Sequence, residues 1–154
     1  MVESVTASAV ISLAEELEDE AVAFYEQLAE RFTDQQATFL GFAKDGAKNK
    51  TLVVRTYRET ISDALEACFS FEGVDLGAYR APTTGPADHL DPSTGYAAAL
   101  ALAIEREELA IRFYEEMAKR SQSLMATIPM AFKRVTKTRG KRKLKLQALL
   151  DEAE

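Results

Sequence analysis

The chain has 154 residues, 47% of them hydrophobic, and a formal net charge of −6. This length and composition predict one domain, spanning 1–154, whose core needs no disulfide or metal to hold it together. The single cysteine, Cys68, excludes an intrachain disulfide, and no run of about 18 apolar residues is present. We therefore expect a cytoplasmic protein that does not span a membrane.

Apolar residues recur at helical spacing in four segments, which we place at about 6–31, 35–68, 93–120 and 128–151. No segment shows the alternation that is typical of a strand, so the predicted fold class is all-α. Thr33-Asp34 predicts a short cap before the second helix, and Asp91-Pro92 or Ser93 predicts the start of the third. Pro129 marks the beginning of the fourth helix.

Residues 69–92 differ in composition from the rest of the chain, because they contain three of the four prolines and three of the seven glycines. A helix of about 27 residues is roughly 40 Å long, and about 24 extended residues can run back along it. The second and third helices can therefore be parallel. This predicts two helical hairpins joined by one long crossover, 69–92, rather than a simple up-down bundle.

An internal repeat relates the first helix to the third. A shift of 89 residues superposes ten identical positions of the first helix on the third, including a Phe-Tyr-Glu run. The matched residues of the first helix are Leu13, Ala14, Glu16, Glu18, Ala21, Phe24, Tyr25, Glu26, Ala29 and Arg31. Two amphipathic helices share alanines and glutamates by chance, but the Phe-Tyr pair at a fixed distance from a glutamate indicates a true repeat.

Two glutamates occupy positions where the helical pattern expects apolar residues. In heptads, Glu18 falls in one column with Ile11 and Tyr25, and Glu107 occupies the corresponding position in the third helix. Both side chains are therefore predicted to point inward, between alanines that let the helices approach closely. A buried carboxylate without a partner is unfavourable, so each is expected to protonate, pair with a cation or bind a metal.

The inward faces of the second and fourth helices are also interrupted at their centres. Along the second helix the inward face passes through Gly46 and Asn49, and along the fourth it passes through Arg139 and Arg142. Each pair of residues is separated by three positions. The four residues are therefore predicted to face the two inward glutamates at the middle of the bundle.

The Glu-x6-Tyr pattern, from Glu18 to Tyr25 and again in the third helix, resembles rubrerythrins and related ferritin-like, diiron-carboxylate proteins. The resemblance covers essentially the whole chain. It implies a ferritin-like four-helix bundle and a homodimer. It also implies a dinuclear iron site, to which the first and third helices each give a glutamate and the other two each give a Glu-x-x-His pair.

Only part of that ligand set is present in this chain. Alignment on Phe39 and Phe132 places the family's two Glu-x-x-His pairs at four positions, where all the ligands are replaced: Gly46, Asn49, Arg139 and Arg142. Glu18 and Glu107 are then the remnant ligands. Glycine and arginine do not ligate iron, and no Cys-x-x-Cys pair supplies a rubredoxin-like module. Peroxidase or ferroxidase activity is therefore not expected, and neither is a bound cofactor.

Two interpretations of the inward glutamates follow. In the favoured one, Arg139 and Arg142 form core ion pairs with Glu18 and Glu107, because two carboxylates and two guanidiniums make a neutral set. In the alternative, Glu18 and Glu107 hold iron or another divalent metal in an atypical site. Tyr25, Tyr57 and Tyr114 are interpreted as packing residues, and Cys68 and His89 as non-functional.

Three classes of function remain. The favoured class is a non-catalytic structural, interaction or small-ligand-binding bundle, and the alternative is a rubrerythrin-like oxidoreductase or iron-handling protein. The third class, binding of nucleic acid or an anionic surface, depends on eight basic residues between Lys133 and Lys145; without these eight positive charges the net charge of −6 becomes −14. This segment lacks the interleaved aromatic residues that stack on bases, so nucleic acid is not the expected partner.

Overall fold

The computed structural model describes residues 4–60, 70–72, 74–79, 91–121 and 127–153. Within these ranges the chain forms four long helices: α1 (Ala7–Arg31), α2 (Gln36–Thr60), α3 (Tyr96–Arg120) and α4 (Thr127–Ala153). The predicted all-α class is confirmed. None of these helices combines the length and apolar character that crossing a membrane requires.

The helix boundaries agree with the sequence pattern except at the start of α3. This helix begins at Tyr96 with Gly95 as its N-cap, three residues later than predicted. The reason is local, because the Asp91 carboxylate accepts hydrogen bonds from the backbone N and the hydroxyl of Ser93, at 2.8 Å each, and holds a turn there. The predicted extension of α2 to residue 68 lies outside the described residues.

The repeat of 89 residues appears in the helices themselves. The first and last residues of α1 and α3 are separated by 89 positions, and both helices have 25 residues. Their C-terminal ends are closed in the same way: Phe32 N–H donates to the Leu28 carbonyl and Ser121 N–H donates to the Met117 carbonyl. Equivalent sequences therefore produce equivalent helices.

Contacts at the helix ends define the directions of the four helices. Arg31, at the end of α1, donates to the carbonyls of Asp91 and Thr94 just before α3, at 2.9 and 3.4 Å. The hydroxyls of Thr60, at the end of α2, and Thr127, at the start of α4, lie 3.0 Å apart. Thus α1 is antiparallel to α3 and α2 is antiparallel to α4. Since a three-residue turn reverses the chain between α1 and α2, α2 and α3 run in the same direction.

Two short strands correct the expectation that the chain has none. β1 (Ser4–Thr6) and β2 (Ser70–Glu72) pair in antiparallel register, with Val5 opposite Phe71. Each strand has only three residues, which is too few for the alternation that identifies a strand in sequence. The short ladder joins the chain just before α1 to the beginning of the predicted crossover.

The described parts of the predicted crossover are more ordered than its composition indicates. Phe71 and Val74 are buried against the bundle, and a 3₁₀ turn, Leu76–Tyr79, places the Tyr79 ring 5.5 Å from that of Phe113. These residues lie near the start of α1, whereas Asp91 lies near its end. Most of the remaining crossover, including His89, lies outside the described residues, as does Cys68.

The core is divided into two apolar clusters. One contains residues from the first half of α1, the second half of α3 and the start of α4, and the other contains the opposite halves of these helices with the first half of α2. The midpoints of the helices lie between the two clusters. This is where the buried charged residues are located.

Candidate functional site

Five buried polar residues come from the middles of the four helices. They are Glu18 of α1, Asn49 of α2, Glu107 of α3, and Arg139 and Arg142 of α4. Each has a relative solvent exposure of 5% or less, so water screens their charges weakly. We refer to these five residues together with Tyr25 and Tyr114 as the central cluster.

Arg139 bridges the two carboxylates. Its Nε and Nη2 donate to Oε2 of Glu18 at 3.0 and 2.7 Å, and its Nη1 donates to Oε1 of Glu107 at 2.6 Å. Nη2 also donates to the Leu17 carbonyl at 3.3 Å. The planar guanidinium, which carries several donors in fixed directions, therefore lies between the two glutamates and contacts both.

Arg142 pairs with Glu107. Its Nη1 donates to Oε2 at 3.0 Å and to Oε1 at 3.4 Å. Its Nε and Nη2 are buried and have no hydrogen-bond partner in the described protein, and its guanidinium carbon lies 5.2 Å from the centre of the Tyr25 ring and 5.8 Å from that of Phe42. The two aromatic faces provide a cation–π environment for this side of the guanidinium.

The two tyrosines connect α1 and α3 reciprocally. Tyr25 of α1 donates its hydroxyl to Oε2 of Glu107 at 2.6 Å, and Tyr114 of α3 donates to Oε2 of Glu18 at 2.7 Å. Because α1 and α3 are antiparallel, a tyrosine seven residues after the glutamate on one helix lies beside the glutamate of the other. The repeated Glu-x6-Tyr pattern thus forms a pair of cross-helix hydrogen bonds.

Asn49 completes the environment of Glu18 by donating Nδ2 to Oε1 at 3.2 Å. As a result, each of the four carboxylate oxygens of Glu18 and Glu107 accepts at least one hydrogen bond. The charges balance as well, since two carboxylates face two guanidiniums. Both carboxylates are therefore paired and fully hydrogen-bonded, whereas Nε and Nη2 of Arg142 have no hydrogen-bond partner among the described residues.

The pKa values show how the cluster fixes its charges. Burial alone raises the pKa of Glu107, but the charges of Arg139 and Arg142 and the hydrogen bond from Tyr25 lower it below its ordinary value. Burial lowers the pKa of Arg139, and the charges of Glu107 and Glu18 raise it well above its ordinary value. The pKa values of Tyr25 and Tyr114 are raised by burial and by the neighbouring carboxylates. Glu107 is therefore ionised and both tyrosines are neutral near pH 7.

Gly46 does not contribute a polar group, but its lack of a side chain permits close packing. A Cβ at this position would lie 3.1 Å from Cγ2 of Val22 and 3.7 Å from the Glu18 carbonyl oxygen. Val22 would have to move to admit even a methyl group. Gly46 therefore lets α2 approach α1 beside Glu18, which brings Asn49 within reach of the carboxylate.

The residues present do not fit a dinuclear metal centre. A carboxylate-bridged pair of irons needs several carboxylate and imidazole ligands. Within the described ranges, no group of three or more His, Cys, Asp or Glu residues could hold a metal ion. Guanidinium, phenol and amide donors occupy all four oxygens of the two glutamates, so metal binding would require those donors to leave.

The structure thus brings together six residues singled out in the sequence: Glu18, Glu107, Gly46, Asn49, Arg139 and Arg142. The sequence predicted Tyr25 and Tyr114 as packing residues with hydrogen-bonded hydroxyls, but it did not identify the two glutamates as their partners, although the repeated spacing contains the signal. It also missed Arg106, whose guanidinium carbon lies 4.5 Å from the centre of the Phe24 ring. Tyr57 is only half-buried, against the core.

Comparison with protein-family models, curated proteins and solved structures finds no match to this chain.

Proposed function

We propose that this chain is a ferritin-like four-helix bundle in which an ion-pair cluster takes the place of a dinuclear metal site. In this proposal the protein acts as a non-catalytic structural or interaction module, assembled as a cytoplasmic homodimer. Three observations support the fold assignment. Helices α2 and α3 run in the same direction, α1 and α3 repeat each other, and the cluster residues lie at the midpoints of the helices.

The observation that carries the functional proposal is the position of Arg139. Its guanidinium contacts both Glu18 and Glu107, at 2.7 and 2.6 Å, and supplies positive charge between two carboxylates that would otherwise repel each other. Arginine cannot be deprotonated in a protein and ligates no metal, so it can perform the electrostatic role of a metal without its redox chemistry. An arginine at this position therefore favours a structural role of the cluster over a catalytic one.

The space beside the cluster supports the same proposal. A cavity of about 30 Å³ lies between α1 and α3 and is lined by the cluster residues Glu107 and Arg139 and by apolar side chains such as Phe24 and Ala110. A volume of this size holds about one or two water molecules. An organic substrate does not fit there, which argues for a structural role of the cluster over binding of a small organic ligand.

The experiment is a measurement of bound iron by elemental analysis in protein produced with added iron and then dialysed. We expect well under one iron per chain, because the carboxylate oxygens already have partners. Stoichiometric iron retained after dialysis would refute the proposal and favour an iron-handling or oxidoreductase function with Glu18 and Glu107 as ligands. In that case, replacing both glutamates by glutamine should abolish retention.

A gain-of-function variant tests the positions of the lost ligands. Gly46→Glu, Asn49→His, Arg139→Glu and Arg142→His together restore two Glu-x-x-His pairs facing Glu18 and Glu107. Because a Cβ at Gly46 contacts Val22, this variant should also carry Val22→Ala. We expect it to take up iron, whereas Val22→Ala alone should not. A variant that folds as a helical bundle and takes up no iron would show that α2 and α4 do not present these positions to a metal.

A further inference from the structure

A groove between α2 and α4 carries a concentration of positive charge that the central cluster does not use. Its volume is about 410 Å³. Its lining includes one basic residue from α2 and three from α4, together with Leu52 and the cluster residue Asn49. The basic residues are Lys48, Arg134, Lys137 and Lys141. Asp45 is the acidic residue of the described lining, so the lining residues that the structure describes carry a net charge of +3.

The four basic side chains of the groove are not neutralised by ion pairs with described acidic residues. None of the four forms an ion pair with any residue in the described part of the chain, whereas nearby cations on the same helices do. Lys50 of α2 pairs with Asp19 at 2.9 Å, and Lys143 of α4 pairs with Glu108 at 3.4 Å. In a protein whose net charge is −6, unpaired cations on two walls of one groove form a local electropositive site.

The spacing of the cations indicates the shape of the ligand. Arg134 and Lys141 are seven residues apart on α4, which is about 10 Å along the helix axis, and Lys48 faces them from α2. A single phosphate cannot contact both ends of this row. An anion with several linked phosphates can, since each group would meet a different cation.

The remaining lining residues distinguish a phosphate chain from a nucleic acid. None of the described residues that line the groove is aromatic, so they offer no ring on which a base could stack. The Asn49 amide and the Thr138 hydroxyl already donate to Glu18 and to the Arg134 carbonyl. The cations therefore supply the donors, and the guanidinium of Arg134 has the geometry that suits phosphate oxygens. The volume is also within the range of small-molecule sites.

From these observations we propose that the groove between α2 and α4 is a binding site for a linear oligophosphate, held by Lys48, Arg134, Lys137 and Lys141. This site does not depend on the proposed role of the central cluster. The result of the iron measurement therefore leaves it unaffected.

The test is isothermal titration calorimetry of the full chain with tripolyphosphate, at low and at physiological ionic strength. We expect one binding site per chain whose affinity falls as salt is added. Lys48→Gln, Arg134→Gln and Lys141→Gln should each weaken binding by roughly fivefold, because each removes a charged contact to phosphate. Asp45→Asn should strengthen binding, since it removes the acidic residue of the groove.

Lys50→Gln and Lys143→Gln are the matched controls, because they remove the same charge from the same helices outside the groove. They should leave the affinity unchanged within about twofold. Absence of binding, or equal weakening by groove and control variants, would overturn the proposal. A second arm uses a single-stranded oligonucleotide. If the oligonucleotide binds and tripolyphosphate does not, the site for a linear oligophosphate is refuted.

Discussion

The strongest test of the central cluster is a double-mutant cycle on Glu107 and Arg142. Glu107→Gln removes the carboxylate that Arg142 contacts, and Arg142→Met leaves two carboxylates facing the guanidinium of Arg139. Each single variant therefore carries an unbalanced charge in a buried site. The double variant retains the neutral pair of Glu18 with Arg139.

The magnitudes follow from burial. Removing one partner of a buried pair costs on the order of 3–5 kcal/mol, because the other charge loses its partner without regaining water. For a domain of this size this corresponds to a fall in Tm of roughly 6–20 °C. The double variant should be less destabilised than the sum of the singles, with a coupling free energy above about 1 kcal/mol.

An adjacent pair on the same two helices provides the control. Glu108 and Lys143 immediately follow the two cycle residues in sequence, but their side chains are 47% and 39% exposed. The same cycle there, Glu108→Gln with Lys143→Met, should change stability by about 0–1 kcal/mol and be nearly additive. Urea unfolding followed by circular dichroism measures all the free energies. A coupling below about 0.5 kcal/mol in the buried cycle would contradict the proposed charge balance.

Three further predictions concern the surroundings of the pairs. Tyr25→Phe and Tyr114→Phe should each cost about 1.5–3 kcal/mol in urea unfolding, since each removes a hydrogen bond to a buried carboxylate; a loss at only one of them would contradict the reciprocal arrangement. Because the pKa of Glu107 is lowered on folding, its stabilising contribution is present above the ordinary glutamate pKa of about 4.3 and is lost as pH falls through the folded pKa. Acid unfolding of Glu107→Gln should therefore depend less on pH over this range than that of the unmodified chain, and an unchanged dependence would contradict the shift. Gly46→Ala should lower Tm because its Cβ meets a neighbour at 3.1 Å, whereas Gly41→Ala, with nothing within 4 Å, should raise it slightly; equal effects would contradict the close approach of α2 to α1.

Helical periodicity was sufficient to predict most of the bundle, because α1 and α3 carry long, regular apolar faces. The same periodicity placed Glu18 and Glu107 inside, since it fixes the direction of a side chain from its position in the heptad. The start of α3 could not be predicted as accurately. There the Asp91 turn delays the helix, and turn geometry leaves only a weak signal in sequence.

The contacts between helices were harder to predict than the faces of single helices. Which tyrosine meets which glutamate depends on the stagger of α1 against α3, and periodicity along one helix does not contain that quantity. The groove depends in the same way on the separation of α2 and α4. The sequence therefore did not predict that Lys48 of α2 lies beside the basic residues of α4. The strands were missed because their pairing is set by the partner segment, 64 to 68 positions away along the chain.

The central claim is that an arginine, and not a metal, lies between Glu18 and Glu107. Anomalous X-ray diffraction at the iron absorption edge, from crystals of protein grown with added iron, tests it most directly. We predict planar guanidinium density for Arg139 within hydrogen-bonding distance of both carboxylates and no anomalous peak between them. An anomalous peak at that position, with Arg139 displaced from the glutamates, would contradict it.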